Sequence, residues 1–173
     1  VTDRSFNDWL PSVNLAFDLR EDLVFRIGYT KNMTLLDLAQ WGGALAPSYA
    51  ISNEEGGRFI VIGANSDGNP ALDPWRSTNY DASLEWYPTQ DTLISVAFFH
   101  VGVESFIERG TVRMALPDED GVIRREVDVG TNVQGEGGTL EGGEFAVKHA
   151  FTHLPGFWSN FGVLANYTKA EAE

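Results

Sequence analysis

Residues 12–30 read SVNLAFDLREDLVFRIGYT. In an extended chain Val13, Leu15, Phe17 and Leu19 fall on one side, while Asn14, Ala16 and Asp18 fall on the other. After Arg20-Glu21-Asp22 the alternation resumes, with Leu23, Phe25, Ile27 and Tyr29 opposed to Val24, Arg26, Gly28 and Thr30. Two alternating runs parted by a short polar turn specify an antiparallel hairpin. One face is apolar throughout, and the other carries charge in mid-strand. What each face meets decides the fold.

The same pattern recurs outward from this hairpin. STNYDASLEWY (77–87) sets Tyr80, Ala82, Leu84 and Trp86 against Asn79, Asp81, Ser83 and Glu85. A turn at Pro88-Thr89-Gln90-Asp91 leads into TLISVAFFHVGVESFI (92–107), apolar on both faces in its middle, so its facing stays open. GGEFAVKHAF (142–151) and FGVLANYT (161–168) form a third pair, for six strands in three hairpins. Short turns lie near 20–22, 88–91 and 154–160, and long segments cover 32–76 and 108–137. Long segments of that kind are usually functional.

Short turns on one side and long loops on the other are the pattern of an outer-membrane β-barrel. A soluble β-sandwich with two insertions would alternate in the same way, so the composition of the faces has to separate them. The apolar faces end in aromatics (Tyr29, Tyr80, Trp86, Tyr167), and the opposite faces hold Asp18, Arg26, Asp81, Glu85 and Glu144. A wet lumen accommodates such charges. The expected fold is therefore all-β, an antiparallel up-and-down meander of about six strands. It would form part of a large transmembrane β-barrel with two long extracellular loops.

Composition bounds the function. The 173 residues hold 12 Lys and Arg against 25 Asp and Glu, a net charge of −13, which argues against a nucleic-acid partner. Without cysteine there is no disulfide framework, thiol catalysis or thiolate-bound metal. No run approaches the ~20 apolar residues of a membrane helix, a test to which spanning strands are blind. In FTHLPGFWSNFG (151–162) a Pro155-Gly156 turn is crowded with Leu154, Phe157 and Trp158. A turn reaching into the headgroup layer of a bilayer can hold such residues, so these three are the expected membrane-interface residues. The alternative is a hydrophobic turn packed beneath a soluble core.

Five segments carry a family resemblance: SFNDWLPSVNLAFDL (5–19), RIGYTKNMT (26–34), GNPALDPWRSTNYDASLEWY (68–87), GGTLEGGEFAVKHAFTHLPGFW (137–158) and NFGVLANYT (160–168). In this order they resemble the C-terminal barrel half of TonB-dependent receptors, with the Xanthomonas/Caulobacter-type group the nearest branch. Leu35-Leu36, His100-Val101 and Gly143 depart from the family's usual residues. The resemblance implies a bacterial outer-membrane location and a barrel of about twenty-two strands. It further implies a plug domain, a TonB-contacting segment and energised import of a scarce nutrient. On that reading residues 1–173 are a partial barrel, lacking plug and final strands, whose TonB contact would run through an N-terminal region outside it.

No catalytic constellation emerges, and no enzyme, cofactor or metal is expected. His149 and His153 straddle a strand end and a turn, and Asp118-Glu119-Asp120-Gly121 lacks the spaced ligands of a calcium loop and reads as a solvated loop tip. Asp81 and Glu85 are accounted for as lumenal lining. The expected partners are outer-membrane lipid and a small extracellular ligand. Trp41, Tyr49 and Trp75, with Arg76, lie among Gly, Asn and Asp in segment 32–76, a mix suited to stacking on sugar faces. An oligosaccharide is the expected ligand; the rival is a ferric siderophore, which wants more cations than the Arg58 and Arg76 of this segment, and a soluble β-rich binding module is the alternative of another class.

Overall fold

The computed structural model describes residues 3–173, and it is built almost entirely of strands. In chain order these are β1 (Ser12–Arg20), β2 (Leu23–Thr34), a short helix α1 (Leu38–Trp41), β3 (Leu45–Ser52), β4 (Arg58–Ser66), β5 (Trp75–Thr89), β6 (Thr92–Val103), β7 (Ile107–Pro117), β8 (Ile123–Gln134), β9 (Gly138–Ala150) and β10 (Gly162–Ala172). A 3-10 turn at Gly156–Asn160 interrupts the last connection. The chain divides into two bodies. The first comprises Asn7–Met33, Arg76–Glu104 and Gly137–Glu173; the second comprises Thr34–Trp75, Ser105–Glu136 and the described residues up to Phe6.

The first body is a six-stranded sheet in the order β1-β2-β5-β6-β9-β10. These are the six strands expected from the alternation, neighbours in the expected sequence. Its register settles both faces. Leu15 lies opposite Ile27, and Phe17 opposite Phe25. Leu84 meets Val96, Val96 meets Phe145, and Phe145 meets Tyr167, giving a continuous apolar row over four strands. The open facing of β6 is resolved by the same pairing: Ile94, Val96 and Phe98 share the apolar face. On the other face Asn14 opposes Gly28, Asp81 opposes Phe99, and Ala97 opposes Glu144, which in turn opposes Thr168.

Two-residue turns at Glu21-Asp22 and Gln90-Asp91 close the first two hairpins. The tight glycine signal also has a cause. A Cβ on Gly142 would stand 2.3 Å from the Lys169 carbonyl oxygen and 2.6 Å from the Phe99 ring, so only glycine fits there without a shift.

The second body corrects the sequence reading. Segments 32–76 and 108–137 are not plain loops: they fold into β3, β4, β7 and β8, one four-stranded sheet in the order β3-β4-β8-β7. Each segment supplies a hairpin, and the two join through a parallel contact at Ala64–Val129 and Asn65–Gly130. Among the described residues there are thus ten strands, the expected six and these four. Pro47 in β3, Pro117 in β7 and the glycines Gly63, Gly110 and Gly130 interrupt the alternation of these strands.

Burial divides the bodies sharply. The buried apolar side chains among the described residues are Leu36, Val61, Ala64, Leu72, Leu116, Val127 and Val129, all in the second body. Val61, Ala64, Leu116, Val127 and Val129 form its core, with Val112 packed against them. The six-stranded sheet has no such core. Leu15 is 50% exposed, Phe98 64% and Tyr167 67%.

Candidate functional site

The polar face of the six-stranded sheet is the first candidate. It lines a hollow of about 750 Å³ whose wall includes Asn14, Arg26, Asp81, Ser83 and Glu144. Arg26 Nε donates to Glu85 Oε1 at 3.1 Å, a charge pair held between adjacent strands β2 and β5. Gly28 lies under this layer, and a Cβ there would come within 3.1 Å of Asn14 Oδ1. The carboxylates Asp81 and Glu85 serve as wall groups, Glu85 bound to Arg26.

The opposite face carries aromatics toward both ends. Tyr29 and Tyr80 pack at 5.2 Å, and Tyr80 reaches His100 at 6.1 Å. His100 Nδ1 approaches Glu141 Oε2 at 3.3 Å. At the short-turn end Trp86 Nε1 donates to Asp22 Oδ2 at 2.9 Å, an apolar ring with one polar atom tied to the turn. His149 and His153 come together there, ring centroids 5.5 Å apart, with His149 Nδ1 at 2.8 Å from Thr92 Oγ1. Among the described residues no group of three or more His, Cys, Asp or Glu gathers to hold a metal.

The expected membrane-interface residues sit in the connection between β9 and β10. Phe157 and Trp158 belong to the 3-10 turn and are 70% and 62% exposed, while Leu154 is half-buried. Phe157 and Phe161 meet edge to face at 4.9 Å. The rings pack on one another rather than beneath a core.

The expected ligand residues fall into different settings. Trp41 ends α1, which Asp37 and Gln40 cap reciprocally. Its ring stacks on Phe6 at 6.0 Å, and its Nε1 donates to the Leu72 carbonyl at 2.9 Å. Trp41 is thereby half-buried rather than a freely exposed plate. Tyr49 lies mid-strand in β3 and Trp75 is the first residue of β5, so neither stands in the long loop expected for segment 32–76. Both are partly open, at 39% and 43%. Arg76 belongs to the other body, where Asp8 accepts from its Nε at 2.6 Å and from its Nη2 at 3.2 Å. That guanidinium holds the Asp8 carboxyl below the usual range.

A network missed in the sequence ties the two hairpin tips of the second body. Asp118 is 3% exposed, and its Oδ1 accepts from the Val61 backbone N–H at 2.9 Å. Its Oδ2 faces Arg124 at 3.1 Å and Arg125 at 3.4 Å. Arg125 also reaches Glu55 at 2.6 Å, and Arg58 pairs with Glu55 and with Asp120. Asp118 is therefore no solvated loop tip. The signal available was the juxtaposition of Asp118-x-Asp120 and Arg124-Arg125 across a turn, which Gly121 makes possible at φ 79°.

The Val61 N–H and then the two arginines hold the Asp118 carboxyl below its ordinary value, and Arg124 takes Asp120 down to about 2. Depressed carboxyls stabilise the folded tip above the unfolded value near ~4, and that stability is lost as pH falls toward the folded value. Exchange protection at the Val61 amide, corrected for intrinsic rate, is expected to hold above about pH 4 and to drop in the window below it, as the Asp118 carboxylate takes up its proton. Protection unchanged across that window would mean the carboxylate is not what secures Val61.

Residues 1–173 match the family described as TonB dependent receptor-like, beta-barrel. Among solved structures the chain is similar to the ferric enterobactin receptor PfeA of Pseudomonas aeruginosa, in a double-mutant form, at 17% identity, TM-score 0.65, covering 94% of this chain and 22% of that one. It is also similar to the siderophore receptor PirA of the same organism, at 18% identity, TM-score 0.61 and coverage of 95% and 28%. PirA of Acinetobacter baumannii matches at 16% identity, TM-score 0.57 and coverage of 83% and 21%. The chain thus spans 21–28% of the length of these solved chains. Comparison with curated proteins gives no match.

Proposed function

This chain belongs to the TonB-dependent receptor-like β-barrel family, and we propose that it forms part of the wall and outer mouth of a receptor importing a scarce small ligand. Such a receptor sits in the bacterial outer membrane, and its work is transport. The observation that carries this is the two-faced six-stranded sheet. Its apolar row at Leu84, Val96, Phe145 and Tyr167 needs lipid, and its polar face at Arg26, Asp81, Glu85 and Glu144 needs water. Short turns at Glu21-Asp22 and Gln90-Asp91 then face the periplasm, and segments 34–75 and 105–136 face outward. The Phe157–Trp158 turn would rest in the inner headgroup layer.

For the ligand, the support favours a neutral oligosaccharide. Both cations of segment 32–76 are committed, Arg58 to Glu55 and Asp120, Arg76 to Asp8. Tyr49 and Trp75 keep open ring surface. A ferric siderophore is the second reading, favoured by the names of the solved structures, which are siderophore and ferric enterobactin receptors.

Trp75→Ala in the full-length receptor is expected to weaken oligosaccharide capture by about 1–3 kcal/mol, the range for aromatic stacking on a planar face. Trp41→Phe, which keeps the stack on Phe6 but loses the bond to Leu72, should leave capture nearly unchanged. Ligand titration of purified receptor, with surface assembly verified, reads both. Unchanged affinity in Trp75→Ala would move the site elsewhere. Capture of a ferric siderophore in place of the sugar would select the second reading.

A further inference from the structure

His149 in β9 and His153 in the turn after it meet at the short-turn end of the six-stranded sheet. Their ring centroids lie 5.5 Å apart and their planes are tilted by 39°. Phe151 packs edge-on against both rings, at 5.4 and 6.4 Å. β9 is flanked by β6 and β10, so the pair sits within the sheet and not at an edge. The backbone between the histidines is held at several points. The Ala150 N–H donates to the Asp91 carbonyl, Phe151 N–H to the Phe161 carbonyl and Leu154 N–H to the Phe151 carbonyl, each at 2.9 Å. Thr152 Oγ1 donates to the Asp91 carboxylate. Both imidazoles are thus presented by fixed backbone.

The surroundings of His149 favour one use of its ring. Its Nδ1 stands 2.8 Å from Oγ1 of Thr92, the residue directly opposite in β6, and Thr92 Oγ1 stands 2.7 Å from Thr89 Oγ1. With the proton on Nδ1, His149 donates to Thr92, Thr92 donates to Thr89, and Nε2 keeps a lone pair. Metal-bound histidines are oriented in this way, the second ring N–H held by an outer partner. Two imidazoles on one tetrahedral ion, with bonds of ~2.0–2.1 Å, set their ring centres about 5 Å apart. The observed spacing meets this without movement of the strands, and His153 is exposed, so its ring has room to turn. Charge agrees. Asp91 adds a carboxylate beside the connecting stretch, while Lys148 lies on the opposite face of β9, level with Leu93 and Leu164.

The geometry points to a site for one divalent transition-metal ion, held by His149 Nε2 and an imidazole nitrogen of His153, with water completing the shell. The donor set selects the class of ion. Imidazole suits Cu²⁺, Ni²⁺ and Zn²⁺, whereas Ca²⁺ and Mg²⁺ want oxygen. Two protein ligands leave coordination positions to water, so the ion stays exchangeable. A bound ion pins the end of β9 to the connection that carries Phe157 and Trp158. This site is separate from Tyr49 and Trp75 and does not depend on what the receptor imports.

The test uses the full-length receptor in detergent, freed of any affinity tag and titrated calorimetrically with Cu²⁺ and with Zn²⁺. His149→Gln and His153→Gln are each expected to weaken one bound equivalent about tenfold or more, and His100→Gln to leave it unchanged. Thr92→Val keeps both imidazoles but removes the hydroxyl that orients His149, and should weaken the same equivalent by about tenfold or more. Pulsed electron paramagnetic resonance of the Cu²⁺ complex should show nitrogen modulation from imidazole, lost in the His149→Gln, His153→Gln double variant. Excess Ca²⁺ should not compete. Absence of Cu²⁺ and Zn²⁺ binding by the unaltered receptor overturns the proposal. So does a Cu²⁺ spectrum without imidazole nitrogen, or an unchanged titration of the double variant.

Discussion

Leu84→Arg in the full-length receptor is expected to destabilise the folded barrel by about 2–4 kcal/mol, the cost of a cation on the lipid face near the membrane midplane. Leu84 lies inside the row it shares with Val96, Phe145 and Tyr167, far from either strand end of β5. The neighbouring Ser83→Arg points the same charge to the polar face, opposite Ala97, into the hollow that holds Arg26 and Asp81. It should cost little, and nearby carboxylates offer it a partner. Reversible denaturant unfolding in lipid vesicles gives both values. Equal costs for Leu84→Arg and Ser83→Arg would remove the assignment of lipid and lumen, since adjacent residues on one strand differ only in facing.

This facing was legible in the sequence because alternation with period two is a property of each strand by itself. Val13 through Leu19 and Leu23 through Tyr29 declare two faces before any partner is known. β6 was not legible on its own: Phe98 and Phe99 are both large and apolar, and only pairing with Ala82 and Asp81 sorts them. The second body lay deeper still. β4 and β8 touch across some sixty residues of sequence at just Ala64–Val129 and Asn65–Gly130, and no local pattern announces a contact between distant segments. The same holds for Asp118. As one of three acidic residues in a turn it looks solvated, but its carboxylate satisfies the Val61 N–H and meets two arginines, and that burial comes wholly from the tertiary pairing. Among the candidate ligand residues, the residue types were readable and their environments were not. Nothing near Trp41 in sequence reveals that Phe6 covers its ring.

Expressed alone in plain buffer, residues 1–173 are expected to aggregate rather than fold to a monomer. A folded monomer of 19.1 kDa exposes about 8,400 Å² by the usual scaling, whereas this chain exposes 11941 Å². Part of the excess is the apolar row that lipid would cover, including Leu15, Phe98 and Tyr167. At about 25 cal/mol per Å² of apolar surface, leaving such a face in water forfeits most of what would stabilise the sheet. The edges compound the problem, because β1 and β10 each present an unpaired row of backbone donors and acceptors. The core around Val61 and Val129 belongs to the other body and cannot supply the missing burial. Sedimentation and circular dichroism should find sheet signal in large assemblies without detergent, and dispersed species only with it. A monomer that melts cooperatively in buffer alone would show that the apolar face has found a protein partner. The six-stranded sheet would then be one half of a soluble sandwich rather than a piece of barrel wall.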